Sequence, residues 1–195
     1  AMRLLLQSED TPKNAELTNE LFRVEQYVEM ALHYTRLDSD TTDFMIQRYH
    51  LDDIVREAIH KYAKIFIRKK IRLDYQPLET EVLTDEKWLE FVFEQILSNA
   101  IKYTSKGTVS IYMEDENTVV VEDTGIGIRA EDLPRVCEKG YTGYNGHTDK
   151  RSTGIGLYLC KRILKKLSHT IEIESELGKG TRVKIGLIVE ERIHE

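Results

Sequence analysis

The chain has 195 residues, 41% of them hydrophobic and 32% charged, which is apolar material for one domain of about 150 residues with a small appendage. No apolar run approaches the ~18–20 residues that cross a bilayer, and the opening AMRLLLQSED is too short for the apolar core of a secretion signal. A net charge of −6 argues against a nucleic-acid partner, and two cysteines, Cys137 and Cys160, build neither a disulfide scaffold nor a CxxC zinc site.

In chain order, Met2 to Gln7 reads as the last turns of a helix and SEDTPKN as a hairpin loop, with Pro12 near the next helix start. Residues 14–38 are predicted as one helix. Leu17, Leu21, Val24, Val28, Ala31 and Thr35 recur in the alternating three- and four-residue steps of a heptad seam, suited to a coiled coil or four-helix bundle. An ordinary amphipathic helix packed on its own domain fits the periodicity equally. The polar stretch Asp38 to Thr42 reads as a linker. These features mark a partial helical hairpin over 1–40 and a mixed domain over 44–191.

In the mixed domain, a short strand is predicted within Phe44–Leu51, then a helix to about Ile67 capped by Asp52 or Asp53. Strands follow at 71–75 and 81–83, a long helix at 85–103, and strands at 108–112 and 118–122. A helix at 154–167 and strands at 170–175 and 181–189 complete the chain. Adjacent strand pairs without strict strand–helix alternation indicate an α+β fold, a two-layer sandwich of a mixed sheet with helices on one face. The basic runs Lys61 to Arg72 and Lys161 to Lys166 read as solvated faces.

Neither a P-loop nor a dinucleotide-binding glycine fingerprint occurs. Three Gly-x-Gly units do: Gly125–Gly127, Gly154–Gly156 and Gly178–Gly180. Each alone is compatible with a plain turn, and context sharpens them. In VVVEDTGIGI a strand delivers Asp123 into a turn open to close backbone approach, where its carboxylate can accept a hydrogen bond from a planar amino group. STGIGLYLCKRI opens a helix, whose free N–H groups favour an anion, with Ser152 or Thr153 as the cap. The third unit joins two strands and is followed by the hydroxyl of Thr181. On the 85–103 helix, Gln95 and Asn99 share one edge of a broad apolar face, with Lys102 and Tyr103 close by. An asparagine oxygen can ligate magnesium and a lysine can contact phosphate; a solvated polar rim is the plainer reading of that edge.

Taken in order, LSNAIKYT, DTGIGI, EKGYTG, STGIGLYLCK and GKGT resemble the catalytic domain of sensor histidine kinases, within the superfamily that also holds gyrase, heat-shock chaperone and MutL ATPases. The resemblance covers residues 44–190 and implies the Bergerat-type ATP-binding fold, preceded by a remnant of the dimerisation and phosphoacceptor hairpin. It implies ATP and Mg2+ as ligands. Asn99 would bind the metal beside Gln95, where many members carry Asn or Glu. Lys102 and Arg151 would act on the phosphates, with Tyr103 near the nucleotide. Asp123 would read the adenine amino group, flanked by Gly125, Gly127 and Thr181. Tyr141 stands where the family often has Phe. Residues 139–153 would form a lid, and Gly154, Gly156 and Leu157 would lie at the phosphate end.

YVEMALHYTRLDS, FIRKKIRLD and EKGYTGYNGH are similar to intramembrane-sensing kinases of the bacitracin-sensing type. That likeness implies the cytoplasmic portion of a bacterial membrane protein, homodimeric at full length. Its partners would be a response regulator and a peptide-antibiotic ABC transporter. None of the six histidines stands in the H-E/Q-x-K-x-P context that such kinases phosphorylate. The chain is therefore expected to begin after that block and to need an acceptor in trans. A superfamily ATPase clamp and a non-enzymatic scaffold with a degenerate site are the alternatives. The clamp would use an acid near Gln95, and a glutamine there disfavours it.

Overall fold

The computed structural model describes residues 12–38, 44–143 and 153–188. It contains two compact units, residues 1–42 and 43–195. In the first, helix α1 runs Pro12–Asp38, and Leu17, Val24 and Val28 of its heptad seam are exposed. The expected first arm of the hairpin, Met2 to Gln7, lies outside the described residues.

The second unit runs β1 (Gln47–His50), α2 (Leu51–Lys69), β2 (Ile71–Tyr75), β3 (Glu81–Thr84), α3 (Glu86–Tyr103), β4 (Gly107–Asp115), β5 (Thr118–Asp123), α4 (Gly156–Lys166), β6 (Thr170–Glu176) and β7 (Gly180–Gly186). A short 3-10 turn spans Leu133–Arg135. Five strands form one sheet in the order β2-β4-β5-β7-β6, parallel between β2 and β4 and antiparallel elsewhere. β1 and β3 pair separately. The expected α+β architecture is the observed one.

Strand periodicity decides which side chains face the helices. One face carries Val109, Ile111, Val119, Val121, Val183 and Ile185, all buried. Helix α3 lies at the centre of the helical layer, buried along most of its length from Trp88 to Ile101. It packs against α2 and α4. The opposite face of the sheet is charged. Arg182 reaches Glu114, Glu122 and Glu174 at 3.1, 3.5 and 3.3 Å, and Lys184 reaches Glu114 and Glu174 at 3.2 and 2.9 Å. A half-exposed ladder of this kind adds little per pair. It needs no second helical layer to cover it.

Several local expectations change. Asp52 and Asp53 do not cap α2: the cap position is His50, without a side-chain bond. Asp52 lies inside the first turn, where its carboxylate accepts from Tyr75 Oη and from the Leu78 amide at 3.0 Å and pairs with Arg56. The basic run after residue 61 is partly structural rather than a solvated face. Lys61 Nζ sits 2.7 and 2.8 Å from the two oxygens of buried Glu94, and Lys69 Nζ donates to the carbonyls of Ile101 and Thr104 at the end of α3. A cation suits that helix C-terminus, where unpaired carbonyls concentrate negative charge. Finally, β4 and its turn extend to Asp115, well beyond residue 112.

Candidate nucleotide site

The site begins with the alternation of β5. Val119 and Val121 point into the core, and the next residue in that row is Asp123, which is 8% exposed. The register aligns it with Val109 on β4 and Thr181 on β7. A carboxylate thus occupies a position that two-residue periodicity reserves for an apolar side chain. Its Oδ1 accepts the Gly125 amide at 2.8 Å and the Thr104 hydroxyl at 3.5 Å. Burial pushes its pKa above the usual carboxylate range, partly offset by those donors and the Thr181 amide.

The glycines after Asp123 let backbones meet. A Cβ on Gly125 would lie 2.6 Å from both the Tyr103 carbonyl oxygen and Asp123 Oδ1. The Ile126 amide donates to that Tyr103 carbonyl at 3.2 Å, joining the turn to the end of α3. At Gly127, φ is +69°, and the side-chain direction is filled by the Glu176 carbonyl at the end of β6. The Gly178 amide then donates to the Ile126 carbonyl at 2.7 Å. Ser175 Oγ accepts the Ile128 amide at 2.8 Å and lies 3.0 Å from Thr181 Oγ1. Three sequence blocks far apart in the chain therefore meet around Asp123.

Helix α3 supplies the next wall. Gln95 is buried, 5% exposed, while Asn99, Lys102 and Tyr103 are half-buried. The amide edge is therefore not a uniformly solvated rim. A Cβ on Gly156, the first residue of α4, would lie 3.1 Å from Gln95 Oε1, so the buried amide faces the start of that helix. Lys102 Nζ lies 5.0 Å from the centroid of the Tyr103 ring. The Gly140 amide donates to the Gly154 carbonyl at 2.9 Å, closing the backbone in front of α4. Tyr141, Gly154 and Leu157 are half-buried in this region. Thr153 does not cap α4 as expected: the cap position is Ile155, without a side-chain bond, and Thr153 Oγ1 only accepts the Ile155 amide at 3.3 Å in the turn before the helix. Ser152 and Arg151 lie outside the described residues, as does the expected lid between 144 and 152.

The described part of the site brings together Tyr103, Asp123, Gly125, Gly127 and Thr181 at the end of α3, while Gln95 further along α3 meets Gly156, and Tyr141 meets Gly154 through its backbone. Asn99 and Lys102 join them as neighbours on α3. A profile described as "Histidine kinase-, DNA gyrase B-, and HSP90-like ATPase" matches residues 84–191, more than half of the chain. The chain belongs to that ATPase family. It is similar to the sensor histidine kinase YxdK of Bacillus subtilis, 34% identical over 193 residues, with 96% of this chain and 59% of that protein covered. It is also similar to the sensor protein BceS of Halalkalibacterium halodurans, 35% identical over 185 residues, with 93% and 55% covered. The chain thus spans little more than half the length of these curated relatives. Among solved structures, full-length ShkA in complex with AMPPNP superposes with a TM-score of 0.65 at 19% identity, covering 97% of this chain and 42% of that one. That likeness shows the shared fold.

Sequence reasoning missed several residues that build the candidate site. Thr104 holds Asp123, Ser175 ties the glycine turn to the β6–β7 hairpin, and Lys69 caps α3. Thr104 lay inside the LSNAIKYT block without being singled out. Lys69 carries no local signal, because its partners are at least 32 residues away in sequence, and the bond by which Ser175 holds the glycine turn reaches across 47 residues to Ile128.

Proposed function

We propose that this chain is the ATP-binding catalytic part of a two-component sensor histidine kinase. The observation that carries the reading is the buried carboxylate of Asp123 among three glycine-bearing segments of an ATPase-family fold. The names of the similar full-length proteins support it. In this reading Asp123 accepts the adenine amino group, with Gly125, Gly127, Tyr103 and Thr181 forming the adenine side. Gln95, Gly154, Gly156 and Leu157 lie at the triphosphate end, where Tyr141 borders the phosphates. Lys102 and Arg151 neutralise developing charge.

Magnesium fits as a companion of the nucleotide. Among the described residues no group of three or more His, Cys, Asp or Glu could hold an ion. A hard cation sharing the Asn99 amide oxygen with phosphate oxygens and waters would satisfy its coordination. Bound magnesium would supply charge neutralisation across the phosphates. The protein's share is positioning and electrostatics. The γ-phosphorus loses its bond to the bridging oxygen of ADP and gains one to a histidine nitrogen, and the phosphoryl group then passes to a response-regulator aspartate. The acceptor histidine belongs to a segment with the H-E/Q-x-K-x-P motif, which these 195 residues do not contain.

The domain over 44–191 would carry catalysis, and α1 would be the second helix of a dimerisation hairpin. No helix among the described residues is long and apolar enough to cross a membrane. The proposed setting is the cytoplasmic portion of a homodimeric membrane sensor that answers antibiotics alongside a peptide-antibiotic ABC transporter.

The test is calorimetric titration with ADP, with and without magnesium, followed by ATP and a separately supplied acceptor hairpin. Magnesium-sensitive binding and acid-labile phosphohistidine on the acceptor are expected. Phosphate release without transfer would favour a hydrolytic clamp, and a folded chain that binds no nucleotide would favour a scaffold.

A further inference from the structure

Between the Asp123 turn and α4, the Tyr141 side chain joins three residues to which no role has been given: Arg129, Asp132 and Arg135. Asp132 is 8% exposed and precedes the 3-10 turn. Its Oδ1 accepts the Tyr141 hydroxyl at 2.5 Å and Arg129 Nη2 at 3.3 Å, and its Oδ2 accepts Arg129 Nε at 3.0 Å. A planar guanidinium meeting both carboxylate oxygens fixes orientation as well as charge. The Arg135 guanidinium lies over the Tyr141 ring, 4.3 Å from its centroid. The Tyr141 ring is therefore held by its tip and by its face.

The backbone of Tyr141 is in turn the floor under Gly154. There φ is +65°, and a Cβ would meet the Gly140 carbonyl carbon at 2.5 Å and both the nitrogen and the oxygen of Tyr141 at 2.7 Å. Together with the Gly140 to Gly154 hydrogen bond, this sets the peptide planes two residues ahead of α4. A chain of contacts thus runs from Arg129 through Asp132 and Tyr141 to Gly154 and the start of α4. The hydroxyl that makes the link is what this chain has and a phenylalanine would lack.

We propose that Asp132, clamped between Arg129 and Tyr141, is a positioning residue that holds the amide groups at the start of α4 for the nucleotide's phosphates. The proposal rests on the ATP-binding reading and deepens it. Because the Tyr141 hydroxyl is spent on Asp132, its effect on phosphate is indirect. The adenine wall is joined through Tyr103, Gly125 and Ser175 instead, so loosening the clamp leaves that wall in place.

The experiment compares ADP with adenosine, both titrated against the whole chain in magnesium buffer, for Tyr141→Phe, Asp132→Asn and the double variant. Tyr141→Phe removes one oxygen and keeps the ring, so it preserves the fold even if Asp132→Asn does not. The expected result is a loss in ADP affinity of about tenfold, the equivalent of ~1.4 kcal/mol. Adenosine affinity should stay within about twofold, and the double variant should be no weaker than Asp132→Asn alone. Unchanged ADP affinity, or equal losses for ADP and adenosine, overturns the positioning role while the ATP-binding reading stands. Failure of the unaltered chain to bind ADP overturns the ATP-binding reading and this inference together.

Discussion

Asp123→Asn separates a recognition role from a structural one. Asparagine has nearly the shape of aspartate, and the Gly125 amide and Thr104 hydroxyl both donate to Oδ1. Those donors keep the asparagine oxygen where Oδ1 was and leave its NH2 group in place of Oδ2. A donor then faces the amino group of adenine. Losing a hydrogen bond to a charged acceptor costs ~1.5–3 kcal/mol, which predicts ADP binding weaker by about 10- to 150-fold. Stability should move the other way. Burial raises the Asp123 pKa, so the folded state holds its proton more tightly than the unfolded state does. Stability from this group therefore falls as pH rises from the ordinary 3.8 through the raised folded value, and at neutral pH the ionised carboxylate is a cost. Asparagine removes that cost, so the melting temperature should hold or rise. Inosine diphosphate, which offers a carbonyl where adenine offers an amino group, should lose far less affinity than ADP. Calorimetry for both nucleotides and thermal melts at pH 7 decide the matter. A melting temperature lower by several degrees, with ADP and inosine diphosphate weakened alike, would refute the recognition role.

Other expectations concern stability. His169 is buried, its Nδ1 accepts the Ile188 amide at 3.1 Å, and burial lowers its pKa to about 4. The unfolded state then binds the proton first, so stability is lost as pH falls from about 6.5 to about 4, by up to roughly 3 kcal/mol. His169→Asn keeps the acceptor and should flatten urea midpoints across that window; an unchanged slope would assign it to other groups. Lys61→Met should cost about 3 kcal/mol by leaving Glu94 ionised and buried, and adding Glu94→Leu should restore most of it in urea melts. Additive losses in the double variant would contradict this. Gly154→Ala forces a left-handed residue against the Gly140–Tyr141 backbone and should destabilise by at least ~1–2 kcal/mol; a variant as stable as its parent would sink that reading. Burial raises the pKa of fully buried Cys160 and half-buried Cys137, so native thiol labelling at pH 7 should be slow, with Cys160 reacting only once urea unfolds the protein. Rapid labelling of Cys160 in the native protein would contradict the packing around it.

The sequence by itself determined the element types, their order and the α+β class. Periodicity is a local property, and the apolar stripe of α3 and the three consecutive valines of β5 each sit within one window of the chain. The same holds for the glycine units, whose spacing could be read without knowing what they approach. Tertiary structure decided what periodicity cannot reach. Two-residue alternation says Asp123 shares a face with Val121, but only the pairing of β4, β5 and β7 shows that face to be buried. Gln95 reads as an edge residue until α4 lays Gly156 against it. Lys61 and Lys69 read as surface charge until α3 brings Glu94 and two bare carbonyls within reach. Arg129 and Asp132 stand three residues apart, a spacing visible in sequence. Their meaning depends on Tyr141 folding back onto them, a contact set by the path of the whole segment. Local chemistry is written in runs of a few residues, whereas burial, and with it the cost and use of a charge, is created only when distant segments pack.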